Sequence, residues 1–387
     1  MRFRVERNDL TDAVAWTART LPARATVPVL SGLLLEAREG TDDDPTGLQL
    51  SGFDFEVAAQ AQVEVTVAEP GRVLVSGRLL AEITRSLPAA PVEIATDGTR
   101  VVLSCGSTRF TLPTMPVEDY PPLPGMPPAA GRITSAAFAT AVAQVAVAAG
   151  RDDTLPVLTG VRMEIEGTGL TLAATDRYRL AVRELAWRPD ATDLSAVALV
   201  PARTLSETAR ALAGGAAEVT LALGSGAQGE GMAGFSNGRR RTTTRLLEGE
   251  FPKYRALLPS SFEAVADVNT ATLTEAVKRV SLVSTSRTAP VRLAFTDGEV
   301  VLEAGSGEDA SAREELEAAF EGESLTIAFN PQFLLDGLGQ IDSDTARLSF
   351  TSATKPAIIT GKAEGDAAGG DTQPDYRYLL MPVRLPG

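Results

Sequence analysis

The chain has 387 residues, 44% of them apolar, enough material for two or three separate cores in an ordinary globular protein. It carries no histidine and one cysteine, Cys105, which excludes Ser-His-Asp and Cys-His catalysis, the usual zinc constellations and internal disulfides, and leaves open only carboxylate or lysine chemistry. Its formal net charge of −14 opposes nonspecific attraction to polyanions, and screening confines charge interactions to a Debye length of about 8 Å, so any contact with nucleic acid must come from a local basic surface.

The opening stretch MRFRVERNDL is charged throughout and is not a signal-peptide pattern, and no apolar run approaches the roughly 18 to 20 residues that span a bilayer. A cytoplasmic location is expected. A first strand, MRFRVE, precedes NDLTDAVAWTARTL, where Asn8 or Asp9 can cap a helix that puts Leu10, Val14 and Leu21 on one face. Strands follow in LLLEARE, LQLSGF, FEVAAQAQVEVTV and GRVLVSG, then a helix, GRLLAEITRSL, and a hairpin that turns at Asp97 and Gly98. From Pro113 to Gly131 the chain is too rich in proline for either element and reads as an extended linker.

The second third repeats this order with the helix ITSAAFATAVAQVAVAAG, strands, the helix PARTLSETARAL and a hairpin at Asn237 and Gly238. The last third has ATLTEAVKRVSLVS, a turn at Asp297 and Gly298, the helix NPQFLLDGLGQI and a closing strand, YRYLLMPVRL. Pro28, Pro156 and Pro290 begin the matching stretches and stand 128 and 134 residues apart, a domain-sized period that is too long for a solenoid. Three tandem α+β domains are expected, at 1–128, 129–258 and 259–387. The acidic insertions from Gly40 and from Lys362 read as exposed loops.

Gly224, Gly226 and Gly229 spell GxGxxG after a strand, but the sequence that follows reads as another hairpin and supplies no helix to receive a pyrophosphate. The run Arg239, Arg240 and Arg241 sits just after a turn and reads as the start of a strand. The second helices of the first two repeats align without a gap and each carries arginines seven apart, Arg78 with Arg85 and Arg203 with Arg210. That spacing sets two guanidinium groups on one helical face roughly 10 Å apart, suited to duplex phosphates, with a solvated face as the plain alternative. The third repeat has Gln332 and Gly339 at these places and offers Lys278 and Arg279 on its first helix.

The stretches ATDRYRLAV from Ala174, EGEFPKYRALLP from Glu248, FNPQFLLDGLGQI from Phe329 and YLLMPVRL from Tyr378, in this order on a threefold repeat, resemble the bacterial sliding clamps, the beta subunits of DNA polymerase III, and most closely the actinobacterial ones. The resemblance implies three clamp domains, each with two helices on antiparallel sheets, and two chains closed head to tail into a ring around duplex DNA. It implies no catalysis and no cofactor or metal. The implied partners are a second copy, double-stranded DNA bound without regard to sequence, the polymerase alpha subunit, the clamp loader and other proteins carrying a clamp-binding motif.

DNA-facing positions fall on Arg24 and Arg151, with Asp152 and Asp153 opposing a phosphate contact beside Arg151, and alignment of the repeats makes Arg287 the equivalent in the third. The implied partner-peptide pocket falls on Leu158, Thr175, Arg177, Tyr178, Arg179, Leu180, Pro252, Leu257, Leu379 and Met381. Phe110 would meet Leu282 and Val283 across the boundary between chains. Arg177 and Tyr178 stand where some clamps have Gly and His, and Pro386 and Gly387 run past the usual terminal Arg-Leu. The sequence leaves open a specialised paralogue, such as an inhibitor-resistant copy, and a scaffold that does not encircle DNA.

Overall fold

The structure, a computed structural model, describes residues 1–22, 24–39, 47–214, 217–225, 228–284, 286, 289–305, 310–362 and 375–384. Both acidic insertions and Gly226 of the glycine motif fall largely or wholly outside the described residues. Six α-helices occur among them, two per repeat: α1 Arg7–Thr17, α2 Gly77–Ser86, α3 Ser135–Ala146, α4 Ala202–Leu212, α5 Thr270–Val280 and α6 Pro331–Leu338. The described strand pairs are antiparallel, so the chain is an α+β protein of three clamp domains, each a repeat of helix, strands, helix and strands.

By its contacts the chain forms two compact units. The first comprises Met1–Ala139, Arg188–Ala191 and Glu207–Leu246. It holds one 14-stranded sheet, in which strand Arg240–Arg245 of the second repeat pairs with Val57–Val63 of the first, Arg240 opposite Ala61. α1 buries Leu10, Ala13, Val14 and Thr17, a spacing that places them on one face. α2 buries Leu80, Ala81, Ile83 and Thr84 and leaves Arg78 and Arg85 exposed.

The second unit comprises Thr140–Trp187, Thr192–Ser206 and Leu247–Gly387. It holds a nine-stranded and a four-stranded sheet. In the larger sheet, strand Arg179–Ala186 of the second repeat pairs with the closing strand Tyr376–Leu380 of the third, with Leu180 opposite Leu379. That pairing brings the chain's last described residues beside the turn at Asp176.

Several local expectations are corrected. Helix α1 starts one residue before Asn8, and Glu6 is its N-cap without a side-chain hydrogen bond, because strand Arg2–Val5 runs straight into the helix and leaves neither Asn8 nor Asp9 outside it. FEVAAQAQVEVTV is two strands, Val57–Val63 and Thr66–Glu69, which pair with different neighbours, the first with Gly47–Phe53 and the second with Arg2–Val5. Pro113 and Gly131 lie inside strands Thr108–Met115 and Ala129–Thr134, so the linker is shorter than the proline count suggests. The turns at Asp97, Asn237 and Asp297 are two-residue hairpins, and Gly98 at φ 57° shows why glycine is needed there.

Of the GxGxxG motif, Gly224 and Gly229 lie in the paired strands Glu218–Ser225 and Gln228–Asn237. The arginine run belongs to sheet pairing. Arg239 binds Glu64, Arg240 lies 5.7 Å from the Trp16 ring, and Arg241 donates to Gln60.

Candidate functional site

In the second unit, strand Gly169–Thr175 passes to Arg179–Ala186 through a tight turn that Asp176 organises. Its Oδ1 accepts the N–H groups of Tyr178 at 3.0 Å and Arg179 at 3.1 Å, an Asx turn of the kind Asp favours. Arg177 at the crest has φ 80°, a left-handed conformation that costs a non-glycine residue about 1 to 2 kcal/mol. Behind the turn, the Thr175 hydroxyl donates to the Arg179 carbonyl at 2.6 Å.

Helix α6 supplies the facing wall. Asn330 is its N-cap, its Oδ1 accepting the N–H of Gln332 at 2.9 Å and of Phe333 at 3.3 Å, and Pro331 occupies the first turn where its missing N–H costs nothing. Gln332 and Asp336, four residues apart, stand on one face and are joined by a 2.8 Å hydrogen bond from Gln332 Nε2 to Asp336 Oδ1.

Arg179, 5% exposed, ties turn and helix together. Its Nε donates to Asp176 Oδ2 at 2.8 Å and its Nη1 to Asp336 Oδ2 at 2.5 Å, and its guanidinium carbon lies 4.4 Å from the Phe333 ring centre. Burial opposes the Arg179 charge, yet Tyr378, Asp336 and Asp176 outweigh it and raise its pKa. A buried cation held by two carboxylates and a ring fixes the two walls relative to each other. Above it, the rings of Tyr178 and Phe333 stack at 6.2 Å and 26°.

Between these walls lies an open cavity of about 550 Å³, lined by Leu155 and Leu158 on the apolar side and by Arg151, Arg177, Tyr178, Gln332 and Phe333 around it. The Leu158 carbonyl accepts the Gly150 N–H at 2.7 Å, which folds the segment after α3 back along the cavity. Met381 donates its N–H to the Tyr178 carbonyl at 2.9 Å and is 40% exposed. Such a slot has the size and mixed lining of a small-ligand or peptide site.

Of the ten expected pocket residues, Leu158, Arg177, Tyr178 and Arg179 line this cavity. Leu180 and Leu379 lie in the core with Phe251 and Tyr254, and Thr175 is buried. Leu257 is 52% exposed at the end of the short turn Tyr254–Leu257. Pro252 lines a second cavity of about 510 Å³ with Arg162, Glu164 and Arg255. There Glu164 accepts hydrogen bonds from the Tyr254 hydroxyl at 3.0 Å and Arg162 Nε at 2.5 Å and pairs with Arg255. Burial pushes the Glu164 carboxyl up, but these three partners pull it further down, so its pKa ends lowered.

Sequence reasoning assigned no role to Leu155, Gln332, Phe333 or Asp336. The Asn330-Pro331 helix start was the signal, since it fixes which α6 residues share a face.

The expected DNA-facing residues fall into two groups. Arg24, Arg85, Arg151 and Arg210 are exposed, as are Arg78, whose Nη2 donates to the Pro22 carbonyl at 3.2 Å, and Arg203. Lys278 is paired with Glu275 at 2.8 Å, and Arg279 grips Glu314 with Nε at 3.1 Å and Nη2 at 2.5 Å. Arg287 lies outside the described residues.

For the expected boundary between chains, Phe110 is half-buried on a strand whose residues 108–113 pair, among the described residues, only with Arg100–Cys105. Leu282, in the turn Ser281–Val283 after α5, is 82% exposed, and Val283 is half-buried. Among the described residues no helix is long and apolar enough to cross a membrane.

The DNA polymerase III beta subunit matches the chain in three consecutive parts: its N-terminal domain over residues 1–124, its central domain over 132–253 and its C-terminal domain over 255–370. The chain is 58% identical over 387 residues to the beta sliding clamp of Streptomyces coelicolor, with all of both chains covered. It is 46% identical over 386 residues to a beta sliding clamp homolog, GriR, of Streptomyces muensis, again covering all of both. Among solved structures it is similar to the Pseudomonas aeruginosa sliding clamp bound to griselimycin, with a TM-score of 0.88 and 29% identity over the whole of each chain. The chain therefore belongs to the DNA polymerase III beta subunit family, the non-catalytic sliding clamps of DNA replication.

Proposed function

We propose that two copies of this chain close around duplex DNA in the cytoplasm, and that each copy tethers the polymerase alpha subunit, the clamp loader and other motif-bearing proteins through the cavity at Leu155, Leu158, Tyr178 and Phe333. The observation that carries the tethering role is this cavity, apolar on one side and held open by the buried Arg179 between Asp176 and Asp336. A short peptide entering it with a leucine-sized side chain gains about 1.5 to 3 kcal/mol, so useful avidity comes from the partner's larger assembly.

Leu180, Leu379 and Thr175 support the pocket from beneath, and Pro252, Leu257 and Met381 extend its apolar surface. The domain limits are 1–128, 129–258 and 259–387. DNA is held by Arg24, Arg78, Arg85, Arg151, Arg203 and Arg210, with Lys278, Arg279 and Arg287 in the third repeat. These phosphate contacts carry no base information. An acidic chain with local basic surfaces holds DNA without fixing it, which suits sliding.

A labelled peptide with a leading glutamine and two apolar residues tests the pocket by fluorescence anisotropy. Leu158→Ala and Met381→Ala should each weaken binding about tenfold or more. Unchanged affinity in both variants would place the partner site elsewhere.

A further inference from the structure

An ionised carboxylate only accepts hydrogen bonds, and this fixes how the Gln332 side chain faces the cavity. Asp336 Oδ2 is paired with the buried Arg179 at 2.5 Å, and its Oδ1 receives Gln332 at 2.8 Å. With Oδ1 unable to donate, the amide must turn its nitrogen to Asp336, which presents its carbonyl oxygen outward. Gln332 is exposed and lines the same cavity as Leu158 and Tyr178. The chain Arg179–Asp336–Gln332 thus converts a buried positive charge into an oriented acceptor at the cavity wall.

We propose that Gln332 is a specificity-determining residue of the partner pocket, its carbonyl oxygen accepting a hydrogen bond from one N–H group of the bound peptide, with Asp336 as its positioning residue. The inference rests on the reading of this cavity as the peptide pocket. Its consequence is a preference for peptides that bring an N–H donor to the α6 wall, over equally apolar peptides that do not. A neutral hydrogen bond at an exposed wall is worth a factor of roughly three to ten in affinity.

The test uses the full chain and the labelled peptide described above, together with a set in which each N–H donor is removed in turn, by N-methylation along the backbone and by exchanging the leading glutamine for norleucine. Gln332→Leu sits on an exposed helical position and should fold normally, with an unchanged thermal midpoint. It should weaken the parent peptide about fivefold. One donor-deleted peptide should lose about the same factor on the unaltered protein and lose nothing further on Gln332→Leu. Asp336→Asn frees the amide to rotate and also weakens the Arg179 tie between the walls, so it should lower affinity for every peptide, and more for the parent than for that donor-deleted one.

Additive losses for every peptide, or an undiminished affinity of Gln332→Leu, would overturn the assignment. Leu158→Ala separates the two levels of the argument. If it weakens the parent peptide while Gln332→Leu does not, only the role of Gln332 fails. If Leu158→Ala also leaves binding intact, the pocket reading itself fails.

Discussion

Gly337 is a helical glycine whose replacement would not follow the usual rule. A glycine inside a helix costs about 0.5 to 1 kcal/mol relative to alanine, so Gly337→Ala would ordinarily stabilise α6. Here an added methyl group would lie 2.4 Å from the Tyr378 ring, and Tyr378 is fully buried with its hydroxyl donating to the Phe333 carbonyl at 2.8 Å. The ring is enclosed on all sides by protein, and overpacking costs about 1 to 3 kcal/mol. Gly337→Ala should therefore lower stability by about 1 kcal/mol in urea unfolding, and it should also shift the Phe333 wall of the cavity. A gain in stability would mean that Tyr378 can yield. Arg177 shows the opposite case, since the glycine that some clamps have at this turn would be free of the strain that its φ of 80° imposes.

Between elements, the clearest electrostatic join is on strand Ala264–Asn269. Asp267 accepts both arms of Arg347 from strand Thr345–Phe350 at 2.8 Å each, and Lys362 at 2.7 Å. Burial pushes the Asp267 carboxyl up, but Arg347 and Lys362 pull it down by more, so its folded pKa lies below the unfolded one. The stabilisation is thus present in full above the unfolded carboxylate range, near pH 4, and is lost as pH falls through the lowered folded value. Asp267→Asn should cost about 2 kcal/mol at pH 7, less than a fully buried pair because the side chain keeps some exposure. In urea unfolding the gap between variant and parent should shrink steadily below pH 4. A gap that stays constant with pH would assign the effect to packing.

At the scale of the whole molecule, the periodic features were readable and the long-range ones were not. α2 and α4 could be placed from their apolar spacing, and the hairpins from Asp-Gly and Asn-Gly, because those signals are local. Nothing local says that Arg240–Arg245 pairs with Val57–Val63, or that Leu379 lies beside Leu180, since register across repeats is set by tertiary packing. For the same reason the resemblance found the turn at Arg177 to Arg179, while α6 was expected as a helix but none of its residues was given a place in the pocket: Asp336 reaches Arg179 across 157 residues of chain.

The assembly prediction also belongs to this scale. Residues 108–113 leave one strand edge unpaired, with Arg109 exposed and Phe110 half-buried, and Ser311–Glu317 forms the edge of the four-stranded sheet with Glu315 and Glu317 exposed. Open edges attract other strands, and charge along them restricts which strand is accepted. A basic edge and an acidic edge favour pairing between unlike ends of two copies, and Leu282, 82% exposed, is the apolar group that such pairing would cover. Covering one leucine contributes about 1.5 to 3 kcal/mol, and a carboxylate in its place adds a desolvation penalty of similar size or more. In the ring proposed above, Leu282→Asp should thus weaken each of its two boundaries by roughly a hundredfold or more. Sedimentation velocity at micromolar concentration should then find monomers where the parent chain is dimeric, with circular dichroism unchanged because the side chain touches little in its own copy. A dimer of undiminished mass would remove Leu282 from the boundary and with it the pairing of these two edges.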